Sequence, residues 1–281
     1  SGIQVPERAQ YIRVICAELQ RIASHLMATG FLLNDIGALA TPLIYCFRER
    51  EKILDLFEML CGARITLSYM RPGGIFQDAD SDFWNALDIL IQELPHYLDE
   101  LEALISKNEI VLARTRSVGI LSDADAIDYG VTGPILRASR VKWDLRKANP
   151  YEIYNRLDFE IPIGVEGDTY DRFHVRLLEM QESVKIITQC IKQIEKGPIR
   201  ANTPYFIRPK PGETYQSVEG PKGELGFYLI SDGGVSPYRC KVRAPSFINL
   251  TPLKKMMLGW KMGDLITILG SIDIVLGEVD R

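Results

Sequence analysis

The sequence predicts a mainly α-helical protein of the α+β class, in which a helix bundle carries a small antiparallel β-sheet. Two long segments, residues 12–26 and 173–194, repeat apolar side chains every three or four residues, which is the period of an amphipathic helix. Residues 213–243 instead hold three short runs rich in strand-forming residues, separated by Gly-containing turns that favour hairpins. The composition is that of an ordinary globular protein, with 46% hydrophobic residues among 281.

The first half of the chain is predicted to form three long helices. Pro6 at a first helical position, followed by the acidic Glu7, predicts the start of the first helix. Gly30 is expected to interrupt or end that helix, and Pro95 is expected to kink or split the third. The predicted bounds of the three helices are residues 6–30, 41–62 and 82–105.

The second half is predicted to contain the longest helix, a sheet and a last helix. Asp168 has the side chain of an N-cap, and Gly197 and Pro198 mark the end of the helix that follows it near Lys196. Ser122 is predicted to cap a short helix, and residues 143–151 are predicted to form loops. The remaining predictions are the short helix at 123–129, strands at 215–218, 225–230 and 238–242, and a final helix at 253–268.

The last residues, Gly270–Arg281, form an apolar segment that ends in two opposite charges. Its composition suits a tail threaded into the interior, where Asp280 and Arg281 need buried partners. The alternative is a last helix or strand packed on the core. The predicted organisation is a single domain, residues 1–281, with a helix bundle over 5–200, a small sheet over 213–243, and a C-terminal helix with a buried tail over 250–281.

Composition and motifs exclude several classes of function. A net charge of -4 gives no basic surface for nucleic acid, and no segment reaches the ~18 apolar residues of a membrane span. The first residues lack the pattern of a signal peptide, so we expect an intracellular protein. The 5 cysteines never occur as Cys-x-x-Cys and the 3 histidines lack metal-ligand spacing, which predicts no metal site built by this chain. Dinucleotide and phosphate-binding loops are missing as well.

Charged residues within apolar stretches are the unusual feature of the sequence. Asp35 is a lone carboxylate in an apolar run, and either it tethers a neighbouring segment or it sets the charge state of a group in a site. Arg71, Asp144, Arg146 and Asp280 are similarly embedded. Such residues form structural ion pairs or line a polar cavity, and the sequence leaves both interpretations open.

Seven motifs, in order along essentially the whole chain, resemble one protein family. The family is the 49 kDa subunit, also called the D subunit, of the proton-pumping NADH-quinone oxidoreductase, respiratory complex I. That family is similar in fold to the large subunit of nickel-iron hydrogenases, which hold their metals with two Cys-x-x-Cys pairs. The tail has no cysteine where the second pair would lie, which disfavours a hydrogenase. The motifs that carry the resemblance are residues 5–14, 48–51, 71–74, 143–147, 221–226, 237–241 and 277–281.

The resemblance implies a subunit of a larger enzyme. It implies packing against the iron-sulfur subunit that carries the terminal [4Fe-4S] cluster, a 30 kDa-type subunit and a membrane subunit at the quinone site. Quinone is the substrate, this chain binds no cofactor itself, and quinone reduction drives proton translocation. The expected location is the cytoplasmic face of a bacterial inner membrane, or the matrix or stromal face in an organelle. A Tyr and a His of an N-terminal sheet that precedes Ser1 supply protons, so the isolated chain is expected to be inactive.

The resemblance also assigns roles to residues near the quinone. Asp35 matches the aspartate that hydrogen-bonds the quinone-site His, and it is therefore the candidate catalytic residue. Leu276, Gly277 and Asp280 match tail positions at the quinone cavity, with Leu276 as wall and Asp280 as a polar or structural anchor. One residue is inserted within Gly37–Pro42 relative to the usual pattern.

Two further positions match a region next to the terminal cluster. Arg71 is one, and Thr66 stands where many members carry a His whose protonation is linked to cluster reduction. Because Thr takes up no proton at neutral pH, we expect the cluster potential to depend less on pH and to be lower, as suits a low-potential menaquinone.

A shortened segment leaves the electron donor open. Between Pro198 and Glu213 many members carry an additional helical segment of some two dozen residues, which residues 201–211 bridge directly here. The alternatives are therefore a related membrane-bound oxidoreductase driven by ferredoxin or a deazaflavin cofactor, a membrane-bound hydrogenase subunit, or a structural scaffold.

Overall fold

A computed structural model describes residues 2–37 and 40–280 of the chain. Ala38 and Leu39, which belong to the inserted stretch, and Arg281 of the tail lie outside the described residues. Within them the helices are α1 (Glu7–Asp35), α2 (Ala40–Cys61), α3 (Ser81–Ser106), α4 (Glu109–Thr115), α5 (Asp123–Asp128), α6 (Pro134–Ala138), α7 (Leu145–Ala148), α8 (Thr169–Gln193), α9 (Pro245–Asn249), α10 (Leu253–Met257), α11 (Met262–Ile272) and α12 (Leu276–Val279). The strands are β1 (Met70–Arg71), β2 (Gly74–Ile75), β3 (Gly212–Gly220), β4 (Gly223–Ser231) and β5 (Arg239–Arg243).

The mainly α class with a small antiparallel sheet is confirmed, and α1 is the central helix of the bundle. It packs against α2 and α8, while α3 closes the bundle against α2 and α8. Its side chains are buried on nearly every face, which is typical of a helix surrounded by others. At 29 residues α1 is longer than α8, at 25, so the prediction that α8 is the longest helix is wrong.

Gly30 does not end α1. A methyl group at this position would lie 3.2 Å from Cβ of Cys46 and 3.1 Å from a side-chain carbon of Leu43. The glycine thus permits close approach of α1 and α2, and the helix continues for another turn. Pro95 likewise does not split α3, because it lies on the exposed side while buried leucines hold the other side against the core.

The predicted caps and strands of the second half are confirmed. Asp168 accepts a hydrogen bond from the Asp171 N–H at the start of α8, and Ser122 does the same for Asp125 at the start of α5. β3, β4 and β5 form one antiparallel sheet in that order, with Val218 opposite Leu225. Each strand is as long as predicted or longer, because the hairpin pairs without interruption.

Two segments differ from prediction. Residues 143–151 were expected to be loops, yet Asp144 caps the short helix α7 by accepting from the Arg146 N–H. The single helix expected at 253–268 is two helices, α10 and α11, separated at residues 258–261, where Gly259 has φ +88°. Gly259 breaks the helix because it adopts a left-handed conformation that glycine occupies without strain.

The prediction of a buried tail is wrong beyond Ile272. Ser271 and Ile272 are buried at the end of α11, but α12 contains no buried residue, and Leu276 is 70% exposed. The end of α11 is buried where the tail was expected to be, and the tail beyond it runs along the surface over α9. Within the described residues it is fixed there by Ser246, whose hydroxyl accepts from Val275 N–H and whose own N–H donates to Glu278.

Candidate functional site

The end of α1 meets the end of α11, the helix that leads into the tail. Asp35 is the last residue of α1, and a methyl group on Gly270 of α11 would lie 3.4 Å from its Oδ2. Asp35 is exposed and, among the described residues, has no hydrogen bond or ion pair. Its carboxylate therefore tethers no described neighbour and is available to a group from another chain or segment.

The three tail residues predicted for the site are all solvent-accessible. Leu276 and Gly277 are exposed in α12, and Asp280 is exposed just after it. The sequence alone did not identify Gly270 as a neighbour of Asp35; a methyl group there would make an ordinary van der Waals contact with the carboxylate.

The same region presents a broad apolar surface. Large apolar side chains of α11, of α12 and of the residues just before and between these two helices are exposed, and patches of exposed apolar side chains mark interaction sites. Phe31 and Tyr45, near the α1–α2 connection, are exposed as well. The exposed large apolar side chains of residues 258–276 are Leu258, Trp260, Met262, Ile266, Val275 and Leu276.

Thr66 and Arg71 lie at the opposite end of α1 from Asp35. Arg13, near the start of α1, donates to the carbonyl of Arg71 at 2.7 Å. Arg13 and Asp35 are separated by ~33 Å along the helix axis, at 1.5 Å per residue. The structure therefore does not bring the cluster-proximal candidates together with the quinone-cavity candidates. Thr66 is exposed and has φ +59°.

The Gly73–Gly74 turn next to Arg71 makes the close approach that the sequence suggested. A methyl group on Gly74 would lie 2.1 Å from the carbonyl oxygen of Ile199, and one on Gly73 would lie 2.4 Å from Thr203. The turn thereby seats the shortened segment, residues 201–211, on the bundle.

A network of buried charged residues connects α1, α6, α7, α8 and β3. Glu18 of α1 accepts from Arg146 at 3.1 Å, from Tyr154 at 2.6 Å and from Ser183 of α8 at 2.6 Å. Burial alone would raise the pKa of the Glu18 carboxyl, but the Arg146 and Arg21 guanidiniums lower it to about 2. This carboxylate is therefore ionised over the whole physiological range.

A second node of the network is Glu179 of α8. One oxygen accepts from Arg137 of α6 at 2.6 Å, and the other lies 2.9 Å from Nε2 of His25 on α1. Arg137 also donates to Glu219 of β3 at 2.8 Å. Burial lowers the pKa of His25 to about 4, in spite of its contact with Glu179, so the imidazole is neutral at pH 7.

The network decides between the two interpretations of Asp144 and Arg146, which were structural ion pairs or the lining of a polar cavity. Both side chains are 1% exposed, and they pair with each other at 2.6 Å. They form structural ion pairs that join α1, α7, α8 and the hairpin, and the sequence missed their partners because these lie far along the chain.

Metal-ligating side chains are dispersed in the described part of the chain. Residues 2–37 and 40–280 contain no group of three His, Cys, Asp or Glu side chains that could hold a metal ion. Burial raises the pKa of the Cys16 and Cys190 thiols to about 12, and that of Cys46 to about 11. Such thiols are poor metal ligands because the thiolate is the binding form.

Two cavities are relevant to the candidate site. One of about 110 Å³ lies beside the end of α1, lined by Leu33, Thr41 and Leu104 among others. A groove of about 960 Å³ lies elsewhere, between residues 207–210 and the open end of the hairpin, and none of the predicted site residues lines it. No helix among the described residues is long and apolar enough to span a bilayer.

Comparison with known proteins finds one family. The family described as the respiratory-chain NADH dehydrogenase, 49 Kd subunit, matches residues 35–211 and 203–281. The D subunit of the NADH-quinone oxidoreductase of Dehalococcoides mccartyi is 57% identical over 281 residues, covering 100% of this chain and 77% of that protein. The D 1 subunit of the Roseiflexus enzyme is 54% identical, with coverage of 100% and 77%.

A more distant relative agrees with the shortened segment. The corresponding D subunit of Geotalea uraniireducens is 47% identical over 305 aligned positions, covering 100% of this chain and 78% of that protein. The alignment has 24 more positions than the 281 residues of this chain, which equals the size, though it does not give the location, of the expected shortening. The two family matches also meet at residues 203–211, where the shortening was predicted.

Proposed function

The chain belongs to the family of the respiratory-chain NADH dehydrogenase 49 kDa subunit, the D subunit of NADH-quinone oxidoreductase, and we propose that it forms part of the cavity in which quinone is reduced. It is a subunit of a multi-subunit NADH:quinone oxidoreductase. Quinone reduction consumes two electrons and two protons, so the cavity must supply both. The electrons come from the partner's terminal [4Fe-4S] cluster.

The contact between Asp35 and Gly270 carries the proposal. It joins the candidate catalytic carboxylate to the helix that leads into the tail, so that residues separated by more than two hundred positions face one region. The carboxylate is exposed and unpaired among the described residues, as a group that receives a partner must be.

Asp35 acts on a neighbouring proton donor. An ionised carboxylate beside an imidazole favours the protonated imidazolium, which can deliver a proton to the reduced quinone oxygen. The His that the resemblance places there belongs to the N-terminal sheet of the family. Leu276 and Gly277 supply apolar wall, and Asp280 is a polar or structural anchor at the end of the tail.

Partner chains complete the cavity. The space beside α1, at about 110 Å³, is smaller than the roughly 300 Å³ at which ligand pockets begin. The exposed apolar side chains of residues 258–276 provide the surface on which a cluster-bearing or membrane subunit packs. Coupling to proton translocation belongs to that assembly.

Replacing Asp35 by Asn in the assembled complex tests the proposal. Asparagine has nearly the size of aspartate but no negative charge. We expect quinone reduction by NADH to fall by roughly tenfold or more in this variant. Reduction of an artificial acceptor that takes electrons before the quinone site should be unchanged. Asp128→Asn, at the exposed end of α5, is the matched control. Unaltered quinone reduction in an intact Asp35→Asn complex would rule the proposal out.

A further inference from the structure

The C-terminal end of α11 is held by two buried arginines of α8. Arg176 donates to the carbonyl of Ser271 at 2.9 Å and to that of Ile272 at 3.3 Å, and Arg172 donates to the Ser271 hydroxyl at 2.8 Å. The last carbonyls of a helix have no partner within it, and cations are favoured there by the helix dipole. The two arginines therefore fix the point from which the tail departs.

Neither guanidinium is paired with a carboxylate among the described residues. Besides Ser271, Arg172 donates to the carbonyls of Gly119 and Gly167 and to the Thr169 hydroxyl. Burial lowers the pKa of Arg172 to about 9, and it also lowers the pKa of Arg176. Asp168 and Asp171 act on Arg172 by charge, whereas Glu179 and an anion directly after α11 act on Arg176, each opposing the effect of burial.

That anion is Asp273. It has φ +59°, a left-handed conformation that persists only where the surroundings hold it. Its Oδ2 lies 2.6 Å from Nζ of Lys222, and the two side chains are only 8% and 11% exposed. The ammonium is not aligned for a hydrogen bond to this oxygen, so the contact is one of charge.

Lys222 is itself held in a rigid place, at the turn between β3 and β4. Its carbonyl accepts from Asn249 of α9 at 2.9 Å. The next residue, Gly223, packs so closely on the α5–α6 connection that a methyl group on Gly133 would lie 2.5 Å from its Cα. The hairpin turn therefore gives Asp273 a fixed counter-charge.

We propose that the Lys222–Asp273 pair is a latch that positions the tail for quinone reduction, with both as positioning residues. This inference rests on the proposed function, since it assigns a role to the tail in the quinone cavity. Beyond Asp273 the tail is fixed by Ser246, which contacts Val275 and Glu278. Releasing the latch frees the left-handed turn and lets Leu276 and Gly277 leave their positions.

Kinetics of latch variants in the assembled complex test the inference. We expect Lys222→Met and Asp273→Asn each to raise the KM for a short-chain quinone by about tenfold, with a smaller change in kcat. Asp273→Asn is informative because Asn tolerates the left-handed conformation while lacking the charge. Lys222→Arg, which keeps the charge, should restore most of the wild-type KM.

The double variant separates a latch from two independent structural effects. If the residues act through each other, Lys222→Met with Asp273→Asn raises KM no more than either single change. A KM equal to the product of the two single effects would contradict the inference. Lys185→Met is the control, because Lys185 and Glu182 of α8 form an ion pair whose lysine side chain is 61% exposed and which lies outside the tail. It should leave the KM unchanged.

The outcomes distinguish this inference from the proposed function. If Asp35→Asn impairs quinone reduction while the latch variants keep the wild-type KM, the latch is wrong and the proposed function stands. If neither change affects quinone kinetics, both are wrong. Should Lys222→Met fail to assemble, Asp273→Asn decides, and faster amide hydrogen exchange over residues 274–280 is expected in that variant. Unchanged exchange and unchanged KM would overturn the latch.

Discussion

Thr66 adopts a backbone conformation, φ +59°, that a β-branched residue rarely occupies. Its hydroxyl donates to the carbonyl of Ile65 at 2.6 Å, and its side chain is exposed. Strained backbone conformations cluster at functional sites, which is the reason to test Thr66. The family resemblance identified Thr66 as a candidate site residue, whereas its backbone strain can be seen only in the structure.

Thr66→His tests the proposed place of this residue beside the partner's terminal cluster. His is several-fold enriched over β-branched residues in the left-handed region, so the fold should tolerate the change. It adds a titratable group, and we expect the cluster potential to fall with pH, approaching about 59 mV per pH unit where one proton accompanies one electron. A redox titration of the complex between pH 6 and 8 measures the slope. Thr251→His, also exposed, should leave the slope as in the wild type.

His25 gives the fold a predicted sensitivity to acid. Its pKa is about 4 in the folded chain and about 6.5 in the unfolded one, so the unfolded chain binds more protons between these values. Stability is fully present above pH 6.5 and is lost as the pH falls toward 4, by an amount on the order of 3 kcal/mol. Unfolding of the purified protein by urea across this range measures it. His25→Gln should flatten the dependence, and an equally steep curve in that variant would contradict the assignment.

At the scale of elements, the buried charge network explains how short helices are positioned. α7 has four residues and little apolar surface of its own, yet Arg146 within it reaches Glu18 on α1. On the sequence, Glu18, Arg21 and His25 resemble a polar helix face. They are buried because their partners come from α6, α7, α8 and β3, and no local pattern encodes such distant pairing.

Arg146→Met should therefore destabilise the protein strongly. Removing one partner leaves Glu18 and Asp144 buried without their guanidinium, which typically costs about 3–5 kcal/mol. Thermal unfolding measures the loss. Arg156→Met is the matched control, because Arg156 pairs with Glu7 on the surface, with side chains 53% and 61% exposed, and it should leave Tm nearly unchanged. Equal effects of the two changes would mean that the network contributes no more than a surface pair.

Local signals and burial explain which elements the sequence predicted. Asp168 and the paired strands of the hairpin follow rules that act within a few residues, and those elements are confirmed. The same local rules predict a break at Gly30 and at Pro95. At Gly30, packing of α1 against α2 outweighs the rule, and at Pro95 the buried face of α3 does so. The tail was misjudged because apolar composition does not distinguish a buried segment from one that lies along the surface.

For the whole molecule, the family and its fold class were predictable because long motifs span the chain. The geometry of the site was less predictable. Asp35 approaches α11 and Arg71 lies far from Asp35 because α1 and α2 run antiparallel. The exposed apolar side chains of residues 258–276, together with the Asp35 carboxylate, which is unpaired among the described residues, make one end of the molecule resemble an incomplete site. The central claim is that this end lines the quinone cavity.

Photo-crosslinking tests that claim most directly. A quinone analogue bearing a photoreactive group is bound to the intact complex, illuminated, and located by peptide mapping, with excess natural quinone as competitor. We predict competitor-sensitive labelling of this chain within residues 31–37 or 270–280. Labelling confined to the partner subunits, or to the groove at residues 207–210, would contradict the account.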